Sequence, residues 1–267
     1  MQTHVALSQE NDISYLTFAC DEPGKPNTLD LQVLDELAAR VDEIHCAPDT
    51  VRAVIVRSSS PRYFVVGANI NALQTLTPQT IIPWVQRGHA VFNALAALPL
   101  PVIARVEGYA LGGGLELAMA CDLIVASREA KLGQPEANLG LVSGWGGSYR
   151  LPWRVGLARA KELFFTGRVI DAEAAYAMGL VDFVGDSAEV EHYLASLLDG
   201  VRACGRLALS HMKALIDASP SATIAENCQA EAVASSVCLA SDDTQSRVAS
   251  YLQSRKKGRK EVALSAR

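Results

Sequence analysis

The chain has 267 residues, 49% hydrophobic and 20% charged, which supplies material for a substantial core and excludes a disordered chain. No apolar run reaches the roughly 18–20 residues of a membrane helix, and Met1 to Ala6 lack the basic-then-apolar order of a secretory signal. The net charge of −5 argues against a general nucleic-acid binder, and six scattered cysteines without a Cys-x-x-Cys pair point to reduced thiols in a cytoplasmic protein.

In chain order, Val5–Ser8 and Ile13–Phe18 alternate apolar and polar residues, the mark of half-buried strands, with Asn11-Asp12 as the turn between them. Leu31–Ile44 has helical apolar spacing, with Asp30 as its expected N-cap. Ala53–Val56 is short, β-branched and uninterrupted, so a strand covered on both faces is expected. A helix is predicted over 78–97, opened by Thr77-Pro78, with Pro83 calling for a kink or a later start. Val102–Val106 and Leu123–Ala126 are further strands, separated by a short apolar helix that begins at Gly112. From about residue 145 the pattern is helical except at Leu180–Val184. Strand–helix alternation followed by helices indicates an α/β body with a helical C-terminal part.

The charge is uneven. Residues 255–267 carry six Lys/Arg and one acid, leaving a net of −10 on the rest. A solvated terminus and a site for an anionic ligand are both consistent with such a tail.

Several chemistries lack their residues. The five histidines form no metal-binding spacing. There is no Gly-x-Ser-x-Gly elbow, no phosphate loop and no dinucleotide fingerprint. Three glycine-bearing segments stand out instead, Phe64–Asn71, Glu107–Asp122 and Leu132–Pro152, and the last two also carry carboxylates. Three glycines at a helix start, Gly112 to Gly114, each cost about 1 kcal/mol relative to alanine inside a helix. They suit close approach of an anion or developing oxyanion to free N–H groups; tight helix–strand packing would equally require them. Glu116, among Leu115, Leu117, Ala118 and Met119, either marks a solvent stripe or lines a cavity. Glu136 fits a first-turn helix acid. Two carboxylates meeting in one cavity would suit addition of water or transfer of protons on an activated carbon skeleton.

At these residues the chain resembles the crotonase (enoyl-CoA hydratase/isomerase) superfamily over nearly its whole length. The resemblance rests on Gly108–Asp122, Leu132–Glu136, Gly144–Leu151, Asn27–Leu29, Phe64–Ile70, Phe165–Arg168 and Ala172–Asp182. It implies an α/β spiral of ββα units over 1–195 and a helical trimerisation region over 196–267, with trimers commonly paired into hexamers. It implies an acyl-CoA thioester as substrate and partner, with no metal, redox cofactor, nucleic acid or membrane involved. By resemblance, the N–H groups of Ala68 and Gly113 form the oxyanion hole. Glu116 activates the water that attacks Cβ, Glu136 protonates Cα, and the Gly144 N–H helps hold that water. Both acidic positions are filled, as in hydratases, whereas simple double-bond isomerases often keep only one. The implied activity is therefore an enoyl-CoA hydratase giving a 3-hydroxyacyl-CoA. The alternatives are a Δ3-to-Δ2 isomerase, a cyclic or dienoyl-CoA hydratase, or a non-catalytic acyl-CoA-binding protein. RNA binding through the tail is a further alternative. Asn69, Ile70, Asn71, Gly144 and Trp145 are the expected substrate-binding positions. Asn69 and Asn71 stand where the family usually has aspartate and lysine, Trp145 where alanine is common, and Ser254 where lysine is usual. These departures bear on the substrate more than on the reaction class. Arg255 to Lys257 are the expected replacement contact for the CoA phosphates.

Overall fold

The computed structural model describes residues 2–47 and 49–265, with side chains through Arg255. Among the described residues ten strands fall into two sheets. The strands are β1 (Thr3–Glu10), β2 (Ile13–Cys20), β3 (Ala53–Ser58), β4 (Tyr63–Val65), β5 (Val102–Val106), β6 (Tyr109–Leu111), β7 (Leu123–Ser127), β8 (Lys131–Gly133), β9 (Val169–Asp171) and β10 (Phe183–Gly185). The helices are α1 (Leu31–His45), α2 (Ile70–Leu73), α3 (Ile81–Ala96), α4 (Gly113–Met119), α5 (Gly147–Val155), α6 (Leu157–Thr166), α7 (Ala172–Ala177), α8 (Ser187–Ala203), α9 (Arg206–Ala218), α10 (Ile224–Ala240) and α11 (Asp242–Ser265).

The large sheet runs β1-β2-β3-β5-β7-β10, and the small one β4-β6-β8-β9. β3, β5 and β7 each deliver the chain to the small sheet, at β4, β6 and β8 in turn; helices carry it back after β4 and β6, and after β8 the chain adds β9 to the small sheet before α7 returns it to β10. This is the expected spiral of ββα units. β1 and β2 pair antiparallel through a tight turn in which Asn11 takes φ +54°, a left-handed conformation that asparagine tolerates.

The large sheet is covered on both sides, which explains its uninterrupted apolar strands. Val54 and Val56 face one core together with α1 and α3. Ala53 and Ile55 face the other, where Val190, Leu194 and Leu198 of α8 pack. In α1, Val33, Leu34, Leu37, Val41 and Ile44 form one buried stripe, and Asp30 Oδ1 accepts from the Val33 N–H at 3.0 Å as an N-cap.

Two expectations need correction. The helix predicted over 78–97 begins at Ile81, so Thr77 is not its cap; Thr77 and Thr80 instead exchange N–H to hydroxyl bonds of 2.8 and 3.2 Å. Pro83 therefore lies in the first turn, where its missing N–H has no intrahelical role. The compact units divide after Val201, within α8. All four strands of the small sheet lie where no strand was expected. Each is only three residues long, too short to show a period of two.

The second unit, from Arg202, holds α9, α10 and α11. Thr223 and Glu226 form a capping box that opens α10. Met212, Ile216, Val233, Val237 and Leu252 of this unit are exposed in the single chain. Arg255 stacks over the Tyr251 ring at 5.9 Å, whereas the Lys256 and Lys257 side chains of the expected phosphate contact lie outside the described residues. Among the described residues no helix is long and apolar enough to cross a membrane.

Candidate active site

The small sheet builds the site. Its three parallel strands β4, β6 and β8 end side by side. Their carboxyl ends lead directly to Gly67-Ala68, to Gly112-Gly113 and to Gln134-Pro135-Glu136. Ligand sites in open α/β sheets form at such ends. Here a cavity of about 250 Å³ is lined by Ala68, Ile70, Leu73, Gly112, Gly113, Glu116, Glu136, Gly144 and Trp145, with Trp84, Val85 and His89 from α3.

Ala68 forms an isolated parallel bridge with Leu29. The bonds run from the Leu29 N–H to the Gly67 carbonyl (2.8 Å) and from the Asn69 N–H to the Leu29 carbonyl (2.7 Å). That pattern uses the residues flanking Ala68, so the Ala68 N–H points away from the bridge. Gly113 opens α4, and its N–H belongs to the first helical turn, which has no intrahelical acceptor. The two segments run close together: a Cβ on Gly67, the residue before Ala68, would sit 3.4 Å from the Gly113 nitrogen.

The triple glycine divides its labour. A Cβ on Gly114 would lie 1.8 Å from the Val65 carbonyl oxygen, so Gly114 packs α4 against β4. Gly112 has φ +52° and faces Glu136, whose Oε1 would stand 2.9 Å from a Cβ there. Gly113 faces the Trp145 ring, with 2.6 Å between a Cβ position and Cζ3.

Glu116 is 1% exposed and lines the cavity, so it belongs to no solvent stripe. Its Oε1 accepts three bonds, from Ser143 Oγ (2.5 Å), the Trp145 N–H (2.8 Å) and the Gly147 N–H (2.7 Å). A charged acceptor with three donors is strongly held. Among the described residues no donor reaches Oε2, which leaves that oxygen for a ligand. Gly147 must be glycine for this network to close, because a Cβ would lie 2.2 Å from Ser143 Oγ.

Glu136 begins a single 3-10 turn, Glu136–Leu139. Burial pushes its carboxyl up to about 7, the charge of Glu116 adds to the rise, and its own backbone N–H pulls the other way. With its amide nitrogen turned toward Glu136, buried Gln134 donates to Oε1 at 2.8 Å and to Oε2 at 2.9 Å. The two carboxylates are thus differentiated: one is fixed by donors, the other is poised to hold or give a proton near neutrality.

Of the expected substrate-binding positions, Ile70, Gly144 and Trp145 line the cavity and Asn69 and Asn71 do not. Asn69 Oδ1 is occupied in capping α2, accepting from the N–H groups of Asn71 (3.0 Å) and Ala72 (3.4 Å). The sequence reading missed Ser143, Gln134 and the α3 wall. The apolar spacing of Trp84, Gly88, Val91 and Phe92 marks the buried face of α3, but nothing local marks Ser143 as a partner of Glu116.

Paired N–H donors and two unlike carboxyls in one narrow cavity are the equipment of an enzyme that stabilises a developing oxyanion while it moves protons. Comparison with known proteins agrees. Residues 8–260 match the sequence profile of the enoyl-CoA hydratase/isomerase family. The crotonyl-CoA hydratase of Syntrophomonas wolfei is 34% identical over 253 residues, covering 95% of this chain and 96% of that protein. The mitochondrial methylglutaconyl-CoA hydratase of Rattus norvegicus is 42% identical over 158 residues, 59% of this chain and 50% of its own length. The crystal structure of an enoyl-CoA hydratase from Bacillus anthracis superposes with a TM-score of 0.86 at 27% identity, covering 94% of this chain and 96% of that one. The chain belongs to the enoyl-CoA hydratase/isomerase family, within the crotonase superfamily.

Proposed function

We propose that the protein is an enoyl-CoA hydratase, a hydro-lyase that adds water across the 2,3 double bond of an acyl-CoA thioester. The observation that carries this reading is the convergence of Glu116 and Glu136 on one cavity that the Ala68 and Gly113 donors also border. The thioester carbonyl accepts from the Ala68 and Gly113 N–H groups, which draws electron density from Cβ. Each such donor is typically worth about 2.7–4 kcal/mol of barrier, because it binds the enolate-like transition state better than the ground state. Glu116 Oε2 takes a proton from water as the water oxygen bonds to Cβ, and the π electrons move onto the thioester oxygen. The enolate then collapses and takes the proton of Glu136 at Cα. The Gly144 N–H orients the water. A proton passing from Glu116 to Glu136 resets the pair. The chemistry needs only the chain's own carboxyls, with CoA entering as part of the substrate. The exposed apolar side chains of the second unit support assembly into trimers or pairs of trimers.

The test is incubation with crotonyl-CoA and the mass of the product. Hydration adds one water; an isomerase acting on a 3-enoyl-CoA adds none, and a binding protein leaves both thioesters intact. Glu116→Ala and Glu136→Ala should each slow hydration by about 10²–10⁴-fold. Full activity in either variant overturns its assigned role.

A further inference from the structure

Trp145 lines the cavity. Its backbone is pinned from two directions. The N–H donates to Glu116 Oε1, and the carbonyl accepts from Arg150 Nη1 at 3.0 Å. The other Arg150 nitrogen, Nη2, donates to Asn93 Oδ1 of α3 at 2.7 Å, so Arg150 ties the Trp145 backbone to α3. The ring is pinned as well, tilted against Trp84 with centroids 4.5 Å apart and edge-on to Phe92 at 5.7 Å.

Two glycines stand at the ends of the indole. Its six-membered ring lies over Gly113, and its pyrrole edge presses on Gly88, where a Cβ would be 2.1 Å from Nε1. The indole thus spans from α4 to α3, and only the absence of both side chains lets it do so. On α3, Trp84, Val85 and His89 line the cavity, whereas Gly88 between them does not, because the indole covers it. Trp145 is 2% exposed, and Nε1 is buried with no hydrogen-bond partner among the described residues. An unsatisfied buried N–H is a cost that phenylalanine would avoid. What tryptophan supplies in return is reach, because the pyrrole edge is the part that meets Gly88.

We propose that Trp145, seated against Gly88, is the specificity-determining stop that limits the substrate to short acyl chains. The proposal rests on the thioester carbonyl lying at the Ala68 and Gly113 donors. An acyl chain leaving that point runs inward along the face of the indole and meets the wall it forms with α3. Removing the ring joins the cavity to the space beside Gly88 and Phe92. Adding a methyl at Gly88 drives the ring outward into the acyl space.

The experiment is kcat/KM for trans-2-enoyl-CoA substrates of four, six, eight and ten carbons, on the unmodified protein and on Trp145→Ala, Trp145→Phe and Gly88→Ala. Tenfold is the lower end of the cost of one methylene that a pocket cannot accept. The ten-carbon substrate should therefore fall at least about tenfold below the four-carbon one in the unmodified protein. Trp145→Ala should raise the ten-to-four ratio by about tenfold or more, and Trp145→Phe, which keeps a ring and the fold, by less. Gly88→Ala should cost the six-carbon substrate more than the four-carbon one. A ten-carbon substrate used as well as the four-carbon one by the unmodified protein overturns the proposal. So does an unchanged ten-to-four ratio in both Trp145 variants. Calorimetric binding of saturated butyryl-, hexanoyl- and decanoyl-CoA reads the depth without turnover. If no enoyl-CoA is hydrated but these affinities follow chain length and shift in the variants, the hydratase reading falls and the stop stands. If crotonyl-CoA is hydrated but length has no effect on either measurement, the stop falls and the hydratase reading stands.

Discussion

Replacing Glu136 by glutamine should stabilise the protein by an amount that grows with pH. In the unfolded chain this carboxyl titrates near 4.5, and in the folded protein burial and the neighbouring Glu116 charge raise it to about 7. Between those values the folded state binds the proton more tightly than the unfolded state, so stability falls as pH rises through the window. Below about 4.5 both states are protonated and the term vanishes. Above about 7 both are ionised, and the folded state carries the whole penalty. At 1.36 kcal/mol per pH unit the gap corresponds to roughly 3 kcal/mol. Glu136 is only half-buried, and solvent screening reduces this to about 1–2 kcal/mol. Glutamine cannot ionise, so its stability lacks this slope. Its altered bonding to Gln134 adds a constant offset that does not depend on pH. The assay is urea unfolding of both proteins at fixed concentration from pH 4 to pH 8. The Glu136→Gln advantage should rise by about 1–2 kcal/mol across that range, mostly between 4.5 and 7. A flat difference, or a wild-type protein that gains on the variant with rising pH, would refute the assignment of a raised Glu136.

Three other outcomes are expected. If Glu136 gives its proton to Cα, the hydration rate of crotonyl-CoA should decline as pH rises through about 7, and initial rates between pH 6 and 8.5 will show it. Ser143→Ala removes one of three donors from Glu116 Oε1. A hydrogen bond to a charged group contributes about 1.5–3 kcal/mol, so kcat/KM should drop roughly 10- to 150-fold while butyryl-CoA binding by calorimetry stays unchanged. Gly114→Ala forces a methyl onto the Val65 carbonyl. Overpacking against fixed backbone should lower unfolding free energy by roughly 3 kcal/mol, measured by urea titration.

What the sequence made legible follows from element length and burial. β1, β2, β3, β5 and β7 have five to eight residues, enough to show alternation or an unbroken apolar run. The small sheet had no such signal. Its strands owe their extended form to neighbours: β6 lies between β4 and β8, and those pairings arise from the winding of the chain. Its location was nevertheless marked indirectly. The three glycine-bearing segments run across the ends of β4, β6 and β8 one by one, because strands that end beside one another around a cavity leave room only for glycine where backbones converge. The start of α3 was obscured for a different reason. Thr77-Pro78 has the form of a helix opening, but the two threonines satisfy each other one turn early and the apolar face begins only at Ile81.

The structure decides between the two open readings of Glu116, and the make-up of its helix shows why. All seven residues of α4 are buried, and Glu116 is the only charged residue among them. A solvent-facing stripe on a helix requires polar neighbours three or four positions away. Gly112 and Gly113 precede Glu116 at those distances, and Met119 and Ala120 follow it. None of these is polar at its side chain, so no stripe exists for the carboxylate to join. A lone charge on such a helix has to find its donors outside the helix. Here they come from Ser143, Trp145 and Gly147, more than 25 positions downstream. With every residue of the helix buried, the carboxylate has to be buried and bonded. Only the fold could name the donors, and with them which oxygen was left free.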